Sequence, residues 1–144
     1  MAEPPKGQPS TPIRRRGAVA VVMRGERFLV IRRSALVRAP GAICFPGGGI
    51  EDAESEVEAL VREFREELDA EIHPLRRVWT SVTRWQIELH WWRAHLDEEA
   101  ALRANPAEVE SIHWFTAEAM LADETLLSSN REFLTAVASG QIEL

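Results

Sequence analysis

Apolar residues recur along this chain with two different periods, and each change of period marks a new element. Gly17 to Met23 (GAVAVVM) and Phe28 to Arg32 (FLVIR) are nearly continuous apolar runs, the pattern of buried strands, and Arg24-Gly25-Glu26-Arg27 between them predicts a hairpin turn. Ser34 to Gly41 is rich in small residues and reads as a loop. Ala42 to Phe45 is a short strand feeding Pro46 and the successive glycines Gly47, Gly48 and Gly49, which predict a turn. The period then becomes helical: Val57, Val61, Phe64 and Leu68 recur at the spacing of one apolar helix face. Glu71 to Arg84 and Trp85 to Leu96 read as two long strands. In the second, Trp85, Ile87, Leu89 and Trp91 alternate with Gln86, Glu88, His90 and Trp92, which assigns the first set to the core and the second to a ligand cleft. Asp97 to Pro106 is a polar connection with room for a short helical piece, and Glu108 to Phe115 is the next strand. Thr116 is placed to cap a helix through Leu121 and Ser129 to cap a last one to Ala138, with Leu134 and Val137 facing the core and Gly140 as the stop.

Composition adds limits. At 144 residues, 45% hydrophobic and 28% charged, the chain fits one ordinary soluble domain. A net charge of −6 argues against general binding to nucleic acid or to an anionic membrane. It also sets a problem for any anionic substrate, which bound cations would have to solve locally. The single cysteine, Cys44, excludes an internal disulfide and suits a reducing compartment. No apolar run has the length of a membrane span, and the N-terminus lacks the apolar core of a secretory signal, so a cytoplasmic location is expected. Met1 to Ile13 contains four prolines and almost no large apolar side chain. With Arg14, Arg15 and Arg16 it predicts a flexible basic tail over residues 1–16, ahead of a domain over 17–144. The arginines are a solubilising run on the simplest view; on a sharper one, one of them reaches a substrate phosphate.

The chemistry is concentrated on the helical stretch. At about 100° per residue, Glu63, Glu66 and Glu67 share a face well over a quarter turn from the apolar one. Like charges at such spacings cost a few tenths of a kcal/mol per pair, roughly, and the only basic residues nearby are Arg62 and Arg65. A solvated acidic face is the bland alternative. A bound cation explains the cluster better, and hard carboxylate oxygens select Mg²⁺, with Mn²⁺ as the alternative.

The order of the parts sharpens this. Gly48, five residues, Glu54, seven residues, then Arg62-Glu63-Phe64-Arg65-Glu66-Glu67 resembles the signature of the Nudix hydrolases of the MutT-like kind, with seven of its nine specified positions matched over 23 residues. Asp69 stands where the pattern has glycine, and Ala70 where it has a larger apolar residue. Asp is among the few residues that tolerate the left-handed conformation a helix stop needs there.

The resemblance implies an α/β/α sandwich around a central mixed β-sheet, and Mg²⁺-dependent hydrolysis of the diphosphate bond in a nucleoside diphosphate linked to another group. It implies Glu63, Glu66 and Glu67 as metal ligands, joined by a backbone carbonyl of the glycine turn at Gly47. Gly48, Glu54 and Arg62 would support them. The general base is open among Glu66, Glu67 and a glutamate outside the motif, Glu108 first and Glu110 next. Arg33, Arg38 and Trp92 are candidates for substrate binding, the last by stacking on a base. His73, His90 and His113 show no zinc-ligand spacing and are assigned structural or rim roles. Gly41 with Phe45-Pro46-Gly47-Gly48 partly resembles the additional motif of coenzyme A diphosphatases, although Val37 stands where those have arginine. A non-catalytic nucleotide sensor is a further alternative, and a calcium buffer is remote because no Asp-rich loop is present. The partner expected is a nucleotide-type small molecule, and long apolar strands are compatible with a homodimer.

Overall fold

The computed structural model describes residues 15–144. The tail expected over 1–16 lies outside the described residues except for Arg15 and Arg16, and these two already belong to the first strand. Strand β1 (Arg15–Val21) is followed by β2 (Met23–Arg24), β3 (Arg27–Arg33), β4 (Ile43–Cys44) and β5 (Gly47–Gly49). Helix α1 (Glu56–Leu68) comes next, then β6 (His73–Val82), β7 (Ile87–His95), β8 (Val109–Thr116), α2 (Ala117–Ala122) and α3 (Ser128–Ala138).

The strands form two mixed or antiparallel sheets of four. In one the order is β5-β1-β7-β6, with β1 and β7 parallel; in the other β3 is central, bonded to β2, β4 and β8. Helix α1 covers one side, packing Leu60, Phe64 and Leu68 against Ala18, Ala20, Leu29 and Ile31. The α3 side closes the other with Phe133 and Leu134. This is the expected α/β/α sandwich. On the α3 side Trp91 stacks on Phe133 with ring centroids 4.4 Å apart, and Phe45 meets Phe28, Trp91 and Phe133 edge-on. Edge-to-face and offset rings add to simple burial because ring edges and faces carry opposite partial charge.

Local chemistry sets the ends of α1. Ser55 caps it by accepting from the Glu58 N–H, and Glu58 reaches back to the Ser55 N–H, a reciprocal capping box. At the other end Asp69 is left-handed, with φ of 54°, and its N–H donates to the Arg65 carbonyl. The stop expected of Asp69 is therefore made without glycine.

Four expectations are corrected. The three glycines are not a turn but strand β5, paired with Gly17, Ala18 and Val19 of β1. Asp97 to Pro106 contains no helix. Ser129 lies inside the first turn of α3, whose N-cap is Leu127 and which has no side-chain cap. The buried face of α1 is also rotated: Val57 is exposed, whereas Leu60 and Glu67 are buried. Seven residues apart, Leu60 and Glu67 lie about 20° from one another around the axis, so the carboxylate shares the core-facing side.

Candidate metal centre and substrate cleft

Helix α1 lies across β1 and β5, so the two glutamates on its inner side are aimed at the glycine strand. Glu67 is 5% exposed, and its Oε1 accepts a hydrogen bond from the Gly47 N–H at 3.0 Å. Glu63 stands one turn earlier, directly over Gly48. A side chain on Gly48 would collide with the Glu63 carboxylate, and one on Gly47 would meet the Val19 Cα at 2.9 Å. These glycines let strand and helix approach closely enough to bring the carboxylates inside.

The third member comes from elsewhere in the chain. Carboxylate oxygens of Glu63, Glu67 and Glu108 all lie within 4.8 Å of one another. Glu108 sits just before β8, on the loop that crosses the C-terminal end of α1. Burial and the neighbouring charge of Glu63 hold the Glu67 carboxyl well above the ordinary carboxylate range. Burial, then repulsion from Glu66 and Glu108, raises Glu63 despite its hydrogen bond from Arg62. A buried carboxylate with one hydrogen bond and two like-charged neighbours is unfavourable until a cation joins it. Three hard oxygen donors on one side of an open cleft fit a divalent ion.

Arg62 organises the outer side. Its guanidinium binds both oxygens of Glu54 at 2.7 and 3.0 Å, the Gly49 carbonyl at 2.9 Å, Glu63 at 3.0 Å and Glu66 at 3.3 Å. The bidentate bond from Arg62 holds the Glu54 carboxyl down to about 2, and Glu54 in turn raises Arg62. Glu54 and Arg62 thus tie the motif loop to the helix.

Not every expected residue reaches the cluster. Glu66 points outward, its side chain 48% exposed and paired with Arg62. Glu110 is exposed and lies outside the cleft, because the bulge where β8 passes Arg32 and Arg33 turns it away. Gly47 meets the cluster through its N–H. Arg33 and Arg38 do line the cleft, and Arg33 is oriented by a 2.6 Å bond from its Nε to the Arg38 carbonyl. Trp92 does not: its indole N–H donates to Glu56 at 2.7 Å under α1, beside buried His90, which is 3.4 Å from Glu56 and 3.4 Å from Glu88.

Trp91 is buried in the core as expected, but the face of His90 and Trp92 expected to line a ligand cleft is covered instead. Helix α1 docks over the His90 and Trp92 side, where Glu56 accepts the Trp92 indole N–H. The other side runs from buried Trp91 out through Leu89, Ile87 and Trp85 into the cleft. That cleft has a volume of about 800 Å³ and is also lined by Arg15, Arg16 and Asn130. Trp85 is 62% exposed at its rim, with the Arg84 guanidinium 4.3 Å from its ring. Alternation placed Trp85 in the core, but the residue lies in the turn between β6 and β7, ahead of the first residue of β7.

Comparison with known proteins agrees with this geometry. The model of the NUDIX domain matches residues 13–137. Among solved structures, a MutT protein from Methanosarcina mazei Go1 superposes with a TM-score of 0.74 at 22% identity, covering 88% of this chain and 94% of that one. The E. coli ORF135 protein gives 0.70 at 26% identity over 88% and 90%. An Ap4A hydrolase from C. elegans gives 0.69 at 19% over 87% and 95%. No curated protein matches the sequence. Among the described residues no helix is long and apolar enough to cross a membrane.

Proposed function

The chain belongs to the Nudix hydrolase family, and on that footing we propose that it cleaves the diphosphate bond of a nucleoside diphosphate linked to a further group, with Mg²⁺ held by Glu63, Glu67 and Glu108. The observation that carries this reading is the meeting of those three carboxylates at the inner end of a cleft whose walls bear Arg15, Arg16, Arg33 and Arg38. Similarity to an Ap4A hydrolase supports a nucleotide as substrate.

When bound, a divalent ion supplies charge neutralisation at the phosphate oxygens and lowers the pKa of a water molecule. The chain's own residues do the rest. Glu108 makes no ion pair among the described residues, so beside holding the ion with one carboxylate oxygen it can accept the proton of the attacking water with the other. The water oxygen bonds to phosphorus, the bridging P–O bond breaks, and the bridging oxygen leaves with the second phosphate. Arginines on both walls stabilise the phosphate charge throughout. Glu66 and Gly47 stay outside this minimal set, Glu66 as a ligand that would have to swing inward from Arg62. The apolar wall of Trp85, Ile87 and Leu89 receives the base. We place the enzyme in the cytoplasm, where Cys44, buried and with its thiol pushed up by burial to about 11, stays reduced.

The test is a substrate panel of nucleoside triphosphates, nucleoside diphosphate sugars, ADP-ribose and dinucleoside polyphosphates, run with Mg²⁺ and with chelator. Metal-dependent release of a nucleotide from one class is expected. For that substrate Trp85→Ala is expected to raise KM by about 5- to 100-fold with kcat little changed, since stacking a base contributes about 1–3 kcal/mol. Absence of turnover across the panel would sink the proposal; an unchanged KM would remove Trp85 from it.

A further inference from the structure

The four final carbonyls of α1 have no partner within the helix, as at any helix end. Here each is taken. Arg65 accepts from the Asp69 N–H at 2.9 Å, and Leu68 from the Arg103 N–H at 2.9 Å. The remaining two go to one residue: Glu67 accepts from the Asn105 N–H at 2.9 Å, and Glu66 from the Asn105 side-chain amide at 3.1 Å. Asn105 turns the chain as well. Its Oδ1 accepts from the Ala107 N–H at 3.1 Å, and its carbonyl accepts from the N–H groups of Glu108 and Val109 at 2.9 and 2.7 Å. The amide orientation is dictated by its partners, since a flip would set donor against the Ala107 donor and acceptor against the Glu66 acceptor. On the far side Ser34, buried at the end of β3, donates its hydroxyl to the Ala107 carbonyl and its N–H to the Glu108 carbonyl, each at 3.0 Å.

We propose that Asn105 is the positioning residue of the metal centre: by bonding the backbone of Glu66 and Glu67 on one side and turning the chain into Glu108 on the other, it sets the third carboxylate against the two from α1. This rests on the metal-site reading above and goes beyond it. Glu108 is 41 and 45 residues from its two partners in sequence. The strap through Asn105 and Ser34 is what fixes its distance from them. Without the Asn105 side chain the turn loses its Asx bond and one of its two holds on the helix, while the core beneath stays intact.

Mn²⁺ binding to the full chain, followed by titration calorimetry or by the resonance of free Mn²⁺, tests this. Asn105→Ala is expected to lose about 10- to 100-fold in Mn²⁺ affinity and in kcat, as for other groups that orient ligands, with KM changed less than about threefold. Asn105→Asp keeps the bond to Ala107 but not the donor to Glu66, and is expected to fall between Ala and native. In a Glu108→Gln background the kcat loss from Asn105→Ala is expected to shrink to about twofold or less, because the residue acts through Glu108. Native-like Mn²⁺ affinity in both Asn105 variants, or an undiminished loss in the Glu108→Gln background, overturns the proposal. A native chain that binds no Mn²⁺ overturns the metal-site reading itself.

Discussion

Glu67→Gln should melt at a higher temperature than the native chain in metal-free buffer at about pH 8, yet hydrolyse its substrate about 10³-fold more slowly or worse with Mg²⁺ present. Both effects come from one buried carboxylate. Burial and the charge of Glu63 hold its pKa well above the ordinary 4.5, so the fold favours the neutral acid. In the unfolded chain the group ionises near its ordinary value. Its contribution to stability is therefore fully present below about pH 4.5 and is lost as pH rises through the raised folded value. Glutamine never ionises and still offers an oxygen to the Gly47 N–H. Its advantage should be absent at about pH 4 and grow above it, reaching on the order of 2 kcal/mol, or roughly 6 °C. Mg²⁺ should reverse the order by stabilising the native chain alone. Thermal melts across this pH range, with and without Mg²⁺, decide the matter. Equal melting at all pH values, or a variant that keeps its turnover, would remove Glu67 from the centre of the site.

What could be read in advance followed from short-range spacing. The stop at Asp69, the hairpin turn between Arg24 and Arg27 and the ordered motif from Gly48 to Glu67 all lie within a few turns. The pairing of Arg62 with Glu54 belongs to the same class. What failed needed to know where α1 docks. A helical wheel drawn through Val57 and Val61 put Glu67 outside the apolar face. In the fold, the first turn of the helix overhangs solvent, and the glycine strand admits Glu67 in place of an apolar residue. The same docking covers Trp92, while Trp85 reaches the cleft from the turn between β6 and β7, which strand alternation does not describe. Asn105 was invisible for another reason. An Asn-Pro pair in a polar connection marks a turn, but nothing local shows that the turn seals a helix end almost forty residues earlier in the chain. The apolar pattern placed Glu108 and Glu110 on the same strand, and the bulge that separates them is a property of pairing with β3.

Two neighbouring glycines should fail in opposite ways, and the contrast tests how the site is built. Gly47 has φ of 156°, and a methyl group there would run into the backbone of Ala18 and Val19, which cannot yield without breaking the β1–β5 pairing. Gly47→Ala is expected to cost about 3–4 kcal/mol and to lower the melting temperature by roughly 10 °C, with metal binding lost as a consequence of the disturbed fold. At Gly48 the obstacle is a side chain, the Glu63 carboxylate, which can move away. Gly48→Ala should therefore fold within about 1 kcal/mol of native while losing about tenfold or more in Mg²⁺ affinity, because Glu63 is pushed out of reach of Glu67 and Glu108. Denaturant midpoints give the first quantity and metal titration the second. If Gly48→Ala bound Mg²⁺ like the native chain, Glu63 would not be a ligand. If Gly47→Ala were as stable as native, the close approach of β5 to β1 would not be what holds the glycine strand under the helix.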